Sequence, residues 1–449
     1  MAQPKIPPHS LEAEQSVLGA ILIDKNAIVA VAGFLRPEHF YDQKHSTIYS
    51  AMLSLYEERK PIDILTLTEK LKAAKGYKEV GGGVYLTELT NIVPTSANVE
   101  HYANIIKEDS AKRELISVSG ELSQMAFDTS KSLREILDKT ERSVFSISQS
   151  AMEKNFIPMK EILTQSFDRL EELQTKGGGG LRGIPTGFKD LDNILAGMQG
   201  SNLLILASRP GIGKTAFVLN VARHVAIKES QPVGIFSLEM SQEELGDRLL
   251  IIQSNVDAFK FKTGRLEDSD FDQLQDAMGL LADAPIYIDD TPGISIMEMR
   301  TKARRLQVEK GLRLLIVDYL QLVDPGRRYD NRVQEVSIVS QALKNIAREL
   351  KVPLLCVSQL NRAVETRSSK KPQLADLRES GSIEQDADVV MFLYRPEEEQ
   401  EKEQVVLGDK IATELAIAKH RNGACTTINY IFSGPTYHFR EVEKRRVQE

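Results

Sequence analysis

A chain of 449 residues with 57 Lys and Arg against 64 Asp and Glu carries a net charge of −7. That balance excludes a general nucleic-acid coat protein, whose affinity comes from cations neutralising phosphates, and confines any nucleic-acid site to a local patch. Hydrophobic residues at 41% with 28 glycines give an ordinary globular composition, and no uncharged apolar run reaches the roughly 18 residues of a membrane span. Met1-Ala2-Gln3-Pro4-Lys5 lacks the apolar segment of a signal peptide, and Cys356 and Cys425 alone can build neither a zinc cluster nor a disulfide framework. A soluble, cytoplasmic protein is expected.

Along the chain, Leu11, Val17, Leu18, Ile21 and Leu22, and later Tyr102, Ile105 and Ile106, recur at helical spacing, which predicts a small all-α domain over 1–150. Pro37, Pro61, Gly81-Gly82-Gly83 and Pro94 punctuate it, and Thr95 or Ser96 is predicted to cap the long helix that follows. Between 151 and 182, Met159, Leu163, Phe167 and Leu170 are spaced by four, four and three, the pattern of a short helix with one apolar stripe. It runs into the tether Gly177-Gly178-Gly179-Gly180, so the stripe is expected to dock outside its own domain.

The remaining segment, 183–449, alternates β-rich runs with helical stretches: Leu203–Ala207, Val233–Leu238, Ile286–Ile288, Leu314–Val317, Leu354–Val357, Val389–Leu393 and Leu415–Ala418. This is the pattern of an α/β domain with a parallel sheet, whose ligands sit at the carboxyl ends of the strands. Thr426–Phe432 and Tyr437–Val442 are read as an antiparallel extension.

The first of these runs feeds Ser208-Arg209-Pro210-Gly211-Ile212-Gly213-Lys214-Thr215, with Ala216 opening a helix. A strand, a glycine-containing turn and Gly-Lys-Thr at a helix start form a phosphate-binding P-loop. Its backbone amides cradle the phosphates of a nucleotide such as ATP, Lys214 reaches the terminal ones, and the Thr215 hydroxyl ligates Mg²⁺. Ser208 departs from the glycine of the strict pattern. Asp318 ends an apolar strand, the second half of such a site, where it supports the same Mg²⁺.

Glu239 follows a strand expected to neighbour the P-loop strand, and orients the attacking water; Ser241 and Glu244 supply a capping box for the next helix, so Glu239 is free for that task. Gln359, also at a strand end, is positioned to sense the γ-phosphate. Lys419 and Arg421 share a strand face before the turn Asn422-Gly423, and act in catalysis only if that face meets another subunit's nucleotide. From Arg362 to Glu384 runs a basic loop with Arg367, Lys370, Lys371 and Arg378-Glu379-Ser380-Gly381, suited to gripping phosphates and free of stacking aromatics.

Together these motifs resemble the DnaB family of bacterial replicative DNA helicases. The likeness is carried by Gly183-Ile184-Pro185-Thr186-Gly187-Phe188 with Leu191-Asp192, the P-loop, Phe236-Ser237-Leu238-Glu239-Met240-Ser241, Asp318-Tyr319-Leu320-Gln321-Leu322, Ser358-Gln359-Leu360-Asn361-Arg362, Asp376 to Gln385, and Lys419-His420-Arg421-Asn422-Gly423. In the N-terminal part it extends to Pro7, His9, Leu11-Glu12-Ala13-Glu14, Pro61-Ile62-Asp63 and Gly82-Gly83-Val84-Tyr85-Leu86.

The resemblance implies a RecA-like ATPase domain under a helical collar, assembled as a homohexamer that threads single-stranded DNA and moves five-prime to three-prime. It implies ATP and Mg²⁺ as cofactors, Lys419 and Arg421 reaching into the neighbour's site, and Arg378, Glu379 and Gly381 gripping the DNA backbone. The linker helix would dock on the adjacent subunit, and primase, a helicase loader and a clamp-loader would be partners. The runner-up, a RadA-type recombination ATPase, carries a four-cysteine zinc module that two distant cysteines cannot supply.

Overall fold

The computed structural model describes residues 6–74, 76–93, 97–133, scattered positions from 135 to 171, 181–326, 331–361, 364, 367, 371–377, 381–396 and 410–442. The chain divides into two compact units, Met1–Ile162 and Leu163–Glu449. Among the described residues no helix is long and apolar enough to cross a membrane.

The first unit holds helices α1 (Leu11–Ile23), α2 (Ala27–Val31), α3 (Gln43–Glu57), α4 (Ile64–Ala73), α5 (Gly82–Ile92) and α6 (Val99–Phe127). Ser10, Asp42 and Asp63 cap α1, α3 and α4 by accepting from backbone N–H groups of their first turns. The apolar positions turn inward, and Val17, Leu18, Ile21, Ile48, Tyr49, Met52, Leu67, Leu71 and Leu86 close one core. In the 29-residue α6 only Val99, Ala103 and Ile106 are buried, so most of its length extends past that core. Its N-cap is Asn98, whose side chain makes no capping bond; Thr95 and Ser96 lie outside the described residues.

Buried Glu14 and His45 tie this core together. The Glu14 carboxylate accepts from the Tyr41 and Asp42 backbone N–H groups at 2.6 and 3.3 Å, and lies 2.6 Å from His45 Nδ1. His45 Nε2 lies 2.6 Å from the Tyr85 hydroxyl, so one chain of polar contacts joins α1, α3 and α5.

The second unit is an α/β domain. Its strands are β1 (Leu203–Ser208), β2 (Val233–Ser237), β3 (Ile286–Asp289), β4 (Leu314–Asp318), β5 (Leu354–Gln359), β6 (Val389–Tyr394), β7 (Lys410–His420), β8 (Thr427–Ser433) and β9 (His438–Glu441). They form one sheet in the order β3-β2-β4-β5-β1-β6-β7-β8-β9. The pairs from β3 to β6 are parallel; β7, read from sequence among the parallel strands, is antiparallel to β6 and longer than its apolar centre suggested. The helices are α7 (Lys189–Leu195), α8 (Lys214–Arg223), α9 (Gln242–Ser254), α10 (Ala258–Thr263), α11 (Asp268–Ala282), α12 (Ile296–Lys310), α13 (Arg332–Leu350) and α14 (Gly381–Asp386).

Strands β1, β4, β5 and β6 bury both faces, which is why they read as continuous apolar runs. One face packs on a core containing Phe217, Val221 and Leu249, the other on a core containing Met299, Leu343 and Ile346. Asp192 explains the Gly-Phe and Leu-Asp spacing ahead of β1: it accepts from the Thr186 N–H at 2.7 Å, the Thr186 hydroxyl at 2.8 Å and the Gly187 N–H at 3.1 Å, closing the turn that starts α7.

Replacing Glu14 by Ala removes the acceptor of two part-buried backbone N–H groups and the partner of the buried His45 imidazole, a loss of about 2–4 kcal/mol. Hydrogen exchange on the full chain should then show α1 and α3 amides opening roughly 100-fold more often, with β1 and β5 unchanged. Unchanged protection in α1 would show that packing alone holds this unit.

Candidate nucleotide site

Ser208 is the last residue of β1 and pairs in parallel register with Gln359 of β5 and Leu393 of β6. It sits buried in regular strand, where a side chain is tolerated, which accounts for its departure from glycine. The two positions that need glycine follow it: Gly211 has φ 79° and Gly213 φ 106°. A side chain at Gly213 would also meet the rings of Phe439 and Phe432, 3.1 and 3.4 Å from a Cβ there. Arg209 turns away and donates to the Leu360 carbonyl at 2.9 Å. No side chain caps α8 at Gly213, so its first amides are directed at whatever occupies the loop.

Three strand ends converge beyond that loop. The Thr215 hydroxyl donates to Asp318 Oδ2 at 2.7 Å. Asp318 is buried, and burial pushes its carboxyl up while the Thr215 hydroxyl and the Lys214 charge oppose the rise. Its Oδ1 is buried without a hydrogen-bond partner among the described residues. Lys214 Nζ lies 3.2 Å from Glu239 Oε2 and 4.2 Å from the centre of the Tyr319 ring.

Glu239 corrects one expectation. Its strand β2 does not neighbour β1; β4 and β5 stand between them. Glu239 still reaches the site, because the Leu238 N–H bonds the Asp318 carbonyl at 2.7 Å and carries the β2–β4 pairing one step past the strand. The predicted capping box is formed, Ser241 and Glu244 each accepting from the other's N–H at 3.3 Å.

Lys214, Thr215, Glu239 and Glu244 line a cavity of about 550 Å³ with Pro210, Gly211, Met240 and Gln359. Arg248, Phe432 and Tyr437 line it as well and were missed by sequence reasoning. Glu244 and Arg248, four apart on α9, gave a helical-face signal that could have found Arg248; Tyr437 sits in the β8–β9 turn, where no motif marks it. A second cavity of about 410 Å³ is lined by Arg209, Tyr319, Gln321, Arg332, Gln359 and Asp376, so Gln359 borders both. A larger one, about 1020 Å³ between α7 and β9, mixes Lys189, Arg223 and Arg440 with Asp190 and Glu441 and contains none of the loop residues.

Lys419 and Arg421 lie elsewhere. Because β7 runs antiparallel, its end pairs with the start of β6, Val389 opposite His420, while Leu393 and Ser208 mark the P-loop edge. Four residues of strand, about 13 Å, separate the two edges. Strand β7 ends at His420, so Arg421 is in the turn and does not share a strand face with Lys419 as predicted. Lys419 Nζ bonds the Glu384 carbonyl, and Arg421 bonds the Gln385 carbonyl at 2.5 Å and lies 3.4 Å from Asp388 Oδ1. Burial and the Arg421 charge push the Lys419 ammonium pKa down.

Asn422-Gly423 does not make a two-residue hairpin either. Residues 421–426 connect β7 to β8, and a Cβ at Gly423 would lie 2.4 Å from the His420 ring, which would have to shift. In the basic segment, Leu374–Leu377 forms a 3-10 turn and Gly381 begins α14, so part of the predicted loop is helical. Arg378 and Glu379 lie outside the described residues.

The donor set fits Mg²⁺: a hydroxyl and a buried carboxylate with one open oxygen suit a hard cation that takes its other ligands from phosphates and water. Among the described residues no cluster of three or more His, Cys, Asp or Glu could hold a metal unaided.

Comparison with known proteins matches residues 6–108 to the DnaB-like helicase N terminal domain and 183–441 to the DnaB-like helicase C terminal domain. The chain is 44% identical over 442 residues to the replicative DNA helicase DnaB of Geobacillus stearothermophilus, covering 98% of this chain and 96% of that one. It is 43% identical to the replicative DNA helicase DnaC of Bacillus subtilis (strain 168), with the same coverage. A solved structure of a DnaB-like replicative helicase, described with its interactions with primase, superposes with a TM-score of 0.77 at 32% identity, covering 97% of this chain and 100% of that one. The recombination-ATPase alternative is not favoured. With both halves matched in order and the RecA-like core in place, the chain belongs to the DnaB-like helicase family and is a replicative, ATP-dependent helicase.

Proposed function

We propose that the chain works as a homohexameric ring that hydrolyses ATP between neighbouring subunits and moves five-prime to three-prime along one DNA strand. One observation carries this reading. Lys214, Thr215, Glu239 and Asp318 converge at one edge of the sheet, whereas Lys419 and Arg421 are anchored at the opposite edge, beyond reach of their own P-loop. Each subunit then supplies the binding half of one site and the cationic half of the next.

In this reading the P-loop amides from Gly211 to Ala216 hold the phosphates, and Lys214 exchanges Glu239 for the terminal phosphate oxygens. Freed, the Glu239 carboxylate takes a proton from a water whose oxygen bonds the γ-phosphorus as the bond to the β–γ bridging oxygen breaks. Mg²⁺ held by Thr215 and Asp318 neutralises phosphate charge when bound. Gln359, bordering both cavities, links the γ-phosphate to the segment that leads through Asp376 and Leu377 into Arg378, Glu379 and Gly381, which grip the DNA backbone.

Met159, Leu163 and Phe167 expose the linker stripe, 68%, 60% and 63% accessible, which supports docking on the adjacent subunit; Leu170 is outside the described residues. Primase is proposed as a partner on the likeness to the helicase described with it. A helicase loader and a clamp-loader remain partners by family likeness, and the cytoplasm is the proposed compartment.

Glu239→Gln should bind ATP and assemble but lose at least roughly 100-fold in turnover, because an amide does not accept the water's proton. Retained turnover in phosphate-release assays removes Glu239 from the mechanism. Arg378→Ala should weaken single-strand binding with little sequence preference and flatten the salt dependence by roughly 0.7 for each phosphate it no longer neutralises. An unchanged slope moves the DNA grip elsewhere.

The shared site is tested by mixing. Lys214→Ala and Arg421→Ala should each lose roughly 10³-fold or more in hydrolysis, while mixed rings contain junctions with an intact Lys214 facing an intact Arg421. Recovery of ATPase in the mixture is expected; none, with subunit exchange demonstrated, would falsify the two-subunit site.

A further inference from the structure

The Lys214 ammonium is held in place without phosphate in this structure, which a lysine on a flexible four-carbon stem does not achieve unaided. It has two supports. Glu239 Oε2 lies 3.2 Å away, and the Tyr319 ring centre lies 4.2 Å from Nζ, within the range of a cation held by an aromatic face. The Lys214 side chain is only 12% accessible, so the ring contact is largely sheltered from water.

The two supports differ in what they demand. An ion pair with Glu239 occupies an N–H donor and the carboxylate that the reaction needs, so it has to open before either group can act. The Tyr319 face takes no donor, because the attraction is between charge and ring quadrupole, and leaves all three N–H groups for phosphate oxygens. Tyr319 is also fixed in place. It follows Asp318 directly at the end of β4, and its ring packs against the core that includes Phe217 and Leu249.

We propose that Tyr319 is a positioning residue for Lys214, holding its ammonium over the P-loop while Glu239 is exchanged for phosphate. The inference rests on Lys214 being the phosphate-binding cation. Tyr319 touches neither nucleotide nor water in this role and acts only through Lys214.

The test is a double-mutant cycle read by direct binding of a fluorescent ATP analogue with Mg²⁺ to the full-length protein. Tyr319→Leu, which keeps apolar bulk and removes the quadrupole, should weaken binding roughly five- to tenfold, and Tyr319→Phe, which keeps the ring, should restore most of it. In the Lys214→Ala background, Tyr319→Leu should add less than about twofold.

Equal weakening by Tyr319→Leu in both backgrounds overturns the proposal, since the effect then comes from packing. So does Tyr319→Phe binding as poorly as Tyr319→Leu, or Tyr319→Leu binding like the parent. If Lys214→Ala itself leaves binding unchanged, the nucleotide-site reading fails first.

Discussion

The bond from the Thr215 hydroxyl to Asp318 Oδ2 is the contact on which the catalytic edge depends. It joins the first turn of α8 to the end of β4, two strands away from β1, and so requires the registers between them to be kept. Ser208 stands opposite Gln359 and Ser237 opposite Asp318, while Val317 opposite Cys356 sets the β4 end two residues below the β5 end. A slip of one residue in any of these pairings would turn the next strand's side chains to the other face and break the convergence. The open Asp318 Oδ1 shows what the contact leaves over: a buried carboxylate oxygen with no protein partner costs stability unless a ligand uses it.

A second buried carboxylate organises the opposite edge. Asp388 accepts from the Leu203 N–H at 2.8 Å and from Lys344 at 2.5 Å, and sits 3.4 Å from the Arg421 guanidinium. The start of the P-loop strand, helix α13 and the turn carrying Arg421 are thus fastened to one group. Because that group lies at the amino end of β1 and the P-loop at its carboxyl end, the length of β1 separates Arg421 from Lys214 and Thr215. This separation is what supports the proposed sharing of one site by two subunits, since it keeps Arg421 from its own P-loop.

Much of this was legible in the sequence because it is local. A strand running into glycines and Gly-Lys-Thr, an acid ending an apolar strand, and a capping box at Ser241 and Glu244 are each specified by neighbours a few residues apart. Strand order is not. Nothing within Val233–Ser237 says that β4 and β5 will intervene between it and β1, because that depends on how the crossover helices pack. The same limit hid Tyr319, Arg248 and Tyr437, whose roles in lining or supporting the site come from contacts with residues far along the chain. The Asn422-Gly423 signal misled for the converse reason: a strong local turn preference does not fix the length of a connection, which here runs over residues 421–426.

The strand order that sequence reasoning missed also gives the site its room. With β4 and β5 between them, β1 and β2 stand about 14 Å apart, three inter-strand spacings. A carboxylate on an adjacent strand would crowd the phosphate loop directly. Placed at the far side of that gap, Glu239 is brought back by the Leu238 N–H bond to the Asp318 carbonyl and held 3.2 Å from Lys214, a contact that phosphate can replace. In the proposed mechanism the ammonium turns to phosphate, and the freed Glu239 carboxylate takes a proton from a water beside the γ-phosphorus. On that proposal the ion pair and the arrangement that hydrolyses ATP are two states of one spacing, between which the nucleotide's charge selects.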